Sequence, residues 1–424
     1  MLENRLGYYK RPVTCPSPSN PTGSPPSPDA TPLHEGRLHG LDLLRGIAMV
    51  LGVVLHTAVP YTRFDIPWVY RVQTPNSVYD LGLVAIHSFR MPLFFLLAGF
   101  FGHLQQQRLG PTPFLRQRLL RIGVPFVVGM VTLMPWMVFM VLQDTTDLNA
   151  FGKAHGIPIP VGATVSPPLH LLPTFHLWFL EVLLICYGLF WSLTLLTRGR
   201  VLCSERVDRI VAWGLRSVWP VALLAGPCLV WFEGSRPGDG VSFLQYATLT
   251  PGVRILGFSL SFFAMGAWLH RNATARRDLG ERWRPMMMAG VVSLVVLLGV
   301  RWQLLRQDLH LTRFQEGLGL LAEGCTAWFL SLGLFAWGLQ ALDRPPRWTR
   351  YFADASYWLY LIHLPLVFWI QLRIRDWPIP IVAKFFLCLC GVTALGLQSY
   401  HLLVRDTWVG WLLNGRRASQ TPRA

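Results

Sequence analysis

The sequence predicts an all-α protein, a polytopic membrane helix bundle of about ten transmembrane helices with both termini in the cytoplasm. Three observations carry that expectation: an apolar composition, apolar runs of spanning length, and loops that alternate between strongly and weakly basic. Hydrophobic residues make up 52% of the 424 and charged residues only 14%, against about 25% charged in soluble domains. Mean hydropathy is +0.38. The net charge of +16 does not indicate nucleic-acid binding, because the basic residues fall in short loops between apolar runs rather than on one polar face.

Residues 1–36 are rich in Pro and Ser, cannot build a core, and read as a disordered cytoplasmic tail. The first apolar run starts near Leu41, so no cleavable signal peptide is expected and the first span should act as an uncleaved anchor. Ten runs are long enough to cross about 30 Å of hydrocarbon: 41–61, 79–103, 118–142, 174–197, 212–232, 252–270, 285–301, 318–341, 354–372 and 379–404. The run at 285–301 is short, and Pro220 and Pro227 interrupt 212–232. Residues 37–413 therefore form one transmembrane domain, followed by a basic tail at 414–424.

Cytoplasmic flanks of membrane spans are enriched in Arg and Lys, and here every second loop is basic. Arg37 precedes the first span, Arg108, Arg116, Arg118 and Arg121 lie between the second and third, and Arg198, Arg200, Arg206 and Arg209 between the fourth and fifth. Arg271, Arg276, Arg277, Arg282 and Arg284 separate the sixth and seventh, Arg344, Arg347 and Arg350 the eighth and ninth, and Arg416 and Arg417 follow the tenth. The longest alternate loop, 143–173, offsets Lys153 with Asp144 and Asp147, and reads either as a plain connector or as a lid or part of an acceptor surface.

Seven cysteines, five of them in apolar runs (Cys186, Cys228, Cys325, Cys388 and Cys390), read as buried thiols rather than disulfides or a metal site. With no dense Cys/His/Asp cluster, phosphate-loop signature or glycine dinucleotide fingerprint, neither a metal nor a bound cofactor is expected.

Ionisable groups inside a bilayer are functional candidates by default, and their depth orders them. Asp42, Arg45, Arg118 and Arg121 lie near the cytoplasmic surface; the arginine pair, three residues apart, is either topology-setting charge or a guanidinium fork suited to phosphate. His87, Arg90 and His363 fall near mid-membrane, where Arg90 should face a wet cavity or an ion-pair partner. His56, His176, Glu181 and Glu323 fall in the outer third. Arg45 and His56 stand eleven positions apart, close to three helical turns and about 16 Å, and so share a face. His56 is the candidate base and Glu181 its candidate orienter. An inner arginine cluster and an outer histidine suit a long donor with an anionic head and a reactive end, such as an acyl-CoA, with a hydroxyl acceptor arriving from outside.

At these residues the chain resembles the acyltransferase 3 family of integral-membrane acyl-CoA transferases, over most of 37–404. The matching segments are Arg37-Leu38-His39-Gly40-Leu41-Asp42-Leu43-Leu44-Arg45-Gly46 with His56, then Phe89-Arg90-Met91-Pro92-Leu93-Phe94-Phe95-Leu96-Leu97-Ala98-Gly99-Phe100, Arg118 with Arg121, His176-Leu177-Trp178-Phe179-Leu180, and Ser356-Tyr357-Trp358-Leu359-Tyr360-Leu361-Ile362-His363. The resemblance implies transfer of an acetyl or succinyl group from a cytoplasmic CoA ester to a carbohydrate hydroxyl outside the bacterial inner membrane, with Arg45, His56, Arg118 and Arg121 as the functional positions. The Ser88-Phe89-Arg90-Met91 wording is similar to the subgroup that decorates periplasmic glucans. No appended acyl-carrying domain follows the spans, which favours direct transfer. The competing expectation is a glycan or lipid-linked sugar transporter in which Arg90 and the outer polar residues bind without reacting.

Overall fold

Long runs of Leu, Val and Phe satisfy their backbone hydrogen bonds internally when helical, the condition a bilayer imposes on a spanning segment. The computed structural model describes residues 39–64, 68–142, 174–197, 205–215, 249, 251–307, 312–340 and 347–414, and among them every regular element is helical. Helix α1 (His39–Ala58) runs into a 3-10 turn, Val59–Tyr61, that carries Pro60 near its start. Helix α2 (Ser77–Leu109) is capped by the Asn76 side chain, which accepts from Val78 N, and stops at Gly110, whose φ of 80° only glycine adopts without strain. Pro111 then opens α3 (Pro111–Arg118) in the first turn, where its missing N–H costs nothing.

A π-turn, Leu119–Gly123, joins α3 to α4 (Val124–Leu142), so that the two form a single span. Then follow α5 (Trp178–Leu196) behind a 3-10 turn at Phe175–Leu177, α6 (Glu205–Gly214), α7 (Val253–Arg271), α8 (Ala273–Glu281), α9 (Trp283–Gln307) and α10 (Arg313–Gln340). Helix α11 (Arg347–Ile374), α12 (Ile381–Ser399) with a π-turn at Tyr400–Val404, and the short α13 (Trp408–Asn414) complete the order.

Nine helices among the described residues are long and apolar enough to cross a membrane. They match nine of the ten runs read from the sequence; the fifth, 212–232, lies outside the described residues beyond Leu215, as do the tails at 1–36 and after Asn414 and the loop 143–173. Two boundaries move with consequence. The third span begins at Pro111 rather than 118, which puts Arg118 and Arg121 inside a continuous helix. The run that looked short at 285–301 belongs to the 25-residue α9, because Trp283 and the Met-rich start of the segment continue the helix.

Helix α1 is surrounded by α2, α10 and α11; α2 also packs on α7, α9 on α10, and α12 on α11. Within this core Phe100 meets Phe335 edge-on at 5.2 Å between ring centroids, and Phe262 stacks on Trp328 at 4.1 Å. Apolar side chains of the outer helices face away from it: Val127, Val131 and Phe139 on α4, Val292 and Val295 on α9, Phe386 on α12. That outward apolar surface is what lipid requires and water would penalise. Helices α2 and α7 approach backbone to backbone, since a Cβ on Gly99 would meet the Phe263 carbonyl and one on Gly266 the Leu96 carbonyl. Small residues of this kind set the closest approaches between membrane helices.

Candidate active site

One cavity of about 860 Å3 runs through the bundle between α1, α2, α3, α5 and α11, within the roughly 300–1,000 Å3 range of small-molecule and cofactor sites. Asp42, Arg45, Arg108, Arg118 and Arg121 line one part of it, and His56, His87, Arg90, His176 and His363 another. The groups that sequence depth had separated thus open onto a single space, with Arg45 and His56 on one face of α1.

At the arginine end, Arg45 Nη1 lies 3.4 Å from Asp42 Oδ1, one turn back on α1, and its guanidinium is 6.0 Å from the Phe101 ring. The Arg118 guanidinium stands over Phe114 at 5.3 Å and Tyr187 at 5.0 Å, contacts that hold it without neutralising it. Its buried Nε has no hydrogen-bond partner. Arg121 lies in the π-turn, whose backbone is fixed by Tyr357: the phenol donates to Arg121 O at 2.7 Å. Among the described residues neither Arg118 nor Arg121 meets a carboxylate. This end therefore presents uncompensated guanidinium groups, suited to the oxygens of an anionic ligand.

At the other end the hydrogen bonds of His56 define its chemistry. Nδ1 lies 2.9 Å from Gly52 O and 3.1 Å from His363 Nε2. A carbonyl oxygen only accepts, so Nδ1 carries the proton, and the neutral ring keeps its lone pair on Nε2. His363 obeys the same logic: Nδ1 donates to Tyr360 O at 2.7 Å, which leaves Nε2 to accept from His56. Two backbone carbonyls thus select both tautomers, and the single Nδ1–H of His56 is shared between Gly52 O and His363 Nε2.

Arg90 lies against α1 one turn from His56, where Gly52 leaves room for it; a Cβ at that position would collide with Nη1. Among the described residues its Nη2 reaches only the Met91 sulfur at 3.4 Å, its buried Nε has no hydrogen-bond partner, and it meets no carboxylate. An isolated guanidinium inside a membrane protein is costly unless a ligand or water supplies the missing partner. His176 enters the site through a strained turn: Phe175 has φ 43°, a left-handed conformation unusual for a bulky residue. That turn lets His176 Nε2 donate to Leu361 O at 3.0 Å, while Tyr360 donates to His176 O at 2.6 Å, bracing α5 against α11. The His176 and His363 rings are 5.1 Å apart.

Sequence depth had placed His363 below His56 and His176; the structure makes the three imidazoles neighbours, with the His363 ring 4.9 Å from that of His56 and 5.1 Å from that of His176. Glu181 is not brought to His56. Helix α5 presents Trp178, Phe179, Leu180, Leu183 and Tyr187 to the cavity, and Glu181 is buried outside the cavity lining, its Oε2 without a hydrogen-bond partner among the described residues. Glu323 likewise lies elsewhere, in an ion pair with Arg301 at 3.4 Å between α9 and α10.

Tyr357, Tyr360, His270 and Trp68 are among the cavity residues that were not singled out in the sequence as site residues. Tyr357 and Tyr360 were readable, since with His363 they recur every third position and share a helical face. His270, at the end of α7, lines the arginine part and is held by His103, with Nδ1 atoms 2.8 Å apart. Trp68 belongs to the connector between α1 and α2 and lies parallel to the His56 ring, 6.1 Å between centroids; no periodicity marks it.

Comparison with known proteins places the chain in a family. Residues 38–397 match the family model described as an acyltransferase domain. The chain is 24% identical over 394 residues to the glucans biosynthesis protein C of Salmonella heidelberg (strain SL476), covering 90% of this chain and 95% of the relative. It is 23% identical over 401 residues to the glucans biosynthesis protein C of Salmonella agona (strain SL483), with the same coverage. No solved structure matches. Because the family match takes in the arginine cluster, His56 and His363 within one helical bundle, the chain belongs to this acyltransferase family, as a multi-pass membrane enzyme that transfers acyl groups other than aminoacyl groups.

Proposed function

We propose that the protein moves an acetyl or succinyl group from a cytoplasmic acyl-CoA to a hydroxyl of a carbohydrate outside the bacterial inner membrane, such as a periplasmic glucan. The observation that carries this reading is the single cavity joining the uncompensated arginines to His56. A CoA ester has phosphates at one end and its thioester at the end of a long thin arm, so it matches a site with charge at one end and a base about 16 Å away. The excess of arginine at the loops flanking Arg45, Arg118 and Arg121 supports a cytoplasmic position for that end. The carbohydrate acceptor is supported by the glucans named in the relatives.

In the direct route, the phosphates rest among Arg45, Arg118 and Arg121, and the thioester carbonyl lies beside Arg90. His56 Nε2 takes the proton of the acceptor hydroxyl as its oxygen bonds to the carbonyl carbon. Negative charge gathers on the carbonyl oxygen, where the Arg90 guanidinium stabilises it. Collapse breaks the carbon–sulfur bond, and the proton on His56 passes to the departing thiolate, leaving free CoA and an ester. Throughout, His56 Nδ1–H remains directed at His363 Nε2, which stabilises the imidazolium.

Mass spectrometry of periplasmic glucans and other envelope glycans, from cells with the protein, without it, and with His56→Ala, tests the reading. The expected result is an acyl mass increment that requires both the protein and His56, with transfer by the variant reduced about a hundredfold or more, the scale of a lost general base. No increment on any glycan, with the protein present and folded, would move the assignment to transport.

A further inference from the structure

The connector between α1 and α2 contributes to the wall of the cavity. Its backbone is tied back to the 3-10 turn after α1, with Val72 N donating to Pro60 O at 3.1 Å and Asn76 N to Tyr61 O at 2.9 Å, and Val69 is only 2% exposed. This seats Trp68 at the His56 end. The indole N–H donates to Gln371 Oε1 at 2.7 Å; Gln371 is fully buried, and its Nε2 donates to the carbonyl of Thr57, the residue after His56. Phe368 supports the indole edge-on at 4.8 Å. The ring is thus locked from behind through its only hydrogen-bonding group, and what it can offer a ligand is an apolar face. That face is parallel to the His56 imidazole, with 4° between planes and 6.1 Å between centroids.

Pyranose sugars carry hydroxyls around their rim and an apolar patch of C–H groups on their face. Those polarised C–H groups are attracted to the negative face of an aromatic ring. Equatorial hydroxyls of a sugar lying flat on Trp68 point parallel to the indole plane. They therefore point parallel to the imidazole plane, in which the Nε2 lone pair lies. We propose that Trp68 is the acceptor platform, stacking a hexopyranose ring so that one equatorial hydroxyl meets His56. This rests on the carbohydrate reading above and adds the residue that selects a sugar ring over other hydroxyl compounds.

The test uses the purified full-length protein in lipid nanodiscs, with acyl-CoA as donor and a glucose oligosaccharide as acceptor, and compares wild type with Trp68→Ala, Trp68→Phe and Trp68→Leu. The alanine and leucine variants should raise the acceptor KM about tenfold with the donor KM unchanged within about twofold, and phenylalanine should restore most of the loss. Leucine keeps apolar bulk without an aromatic face, so the Phe against Leu comparison decides the matter even if the alanine variant does not fold. Equal acceptor KM values for Phe and Leu, or a donor KM that rises in step with the acceptor KM, would overturn the platform. A wild-type enzyme that acylates a hydroxyl compound but no carbohydrate would instead overturn the carbohydrate reading. Transfer to sugar that is indifferent to Trp68 would leave that reading standing and remove only the platform.

Discussion

In the proposed reaction, the orientation of His56 as a base rests on two carbonyl groups and a second imidazole. Gly52 O holds its proton on Nδ1, Tyr360 O does the same for His363, and the pair meets at 3.1 Å. His363 is a positioning residue, since it acts on the substrate only through His56. Replacing His363 with Ala should lower kcat about tenfold or more while leaving the donor KM near its wild-type value, and His363→Gln, whose amide oxygen can accept from His56 Nδ1, should recover part of the loss. A kcat unchanged in His363→Ala would show that the Gly52 carbonyl alone suffices to orient the base. Spacing and depth identified His56 and Arg45, and the Tyr360-Leu361-Ile362-His363 segment was visible in the sequence. The pairing of His363 with His56, 307 positions apart, was not, and Glu181 was assigned the orienting role because it was the acid nearest in sequence to a second outer histidine.

Two features of the helices, a widened turn and a close packing contact, shape the site. The π-turn at Leu119–Gly123 places Arg121 where Tyr357 can hold its backbone, and Arg118 in the last turn of α3 lies over Phe114 and Tyr187. Such turns often occur at functional sites, yet nothing in Leu119-Leu120-Arg121-Ile122-Gly123 announces one, because the widened turn follows from packing against α5 and α11. The close contact of α2 with α7 is the second determinant, since α2 carries Arg90 and His87 and its tilt fixes their reach. Gly266→Leu should push the helices apart, lowering thermal stability by about 1–3 kcal/mol or more and reducing activity through Arg90 without changing any group in the cavity. A thermal shift assay with parallel turnover measurements checks both effects; an unaltered melting temperature would mean the contact is not tight.

Across the whole molecule, the proposed reaction assigns binding to one end of the cavity and chemistry to the other. Arg121→Ala should raise the donor KM about tenfold, the scale of one lost charge-assisted contact to phosphate, with kcat little affected, whereas His56→Ala should do the reverse. Steady-state kinetics on both variants distinguishes the two ends, and a shared change in both constants would mean that the arginine end does not hold the donor head. The alternation of basic loops and the nine spanning helices were legible in the sequence because lipid constrains each segment by itself: length, apolarity and flanking charge are local properties.

The sequence alone determined the helical membrane class, the approximate position of each described span, and the candidate groups, since a charged residue in an apolar run stands out without any partner. Tertiary structure decided which of those groups share a space. It opened the arginines and His56 onto one cavity, set His363 rather than Glu181 beside His56, paired Glu323 with Arg301, and brought Trp68 from a connector to a position parallel to the His56 ring. These are relations between helices distant in sequence, and they depend on the rotation of each helix about its axis. Packing contacts such as Gly99 with Phe263 and Tyr357 with Arg121 fix that rotation, and no single run of residues encodes it.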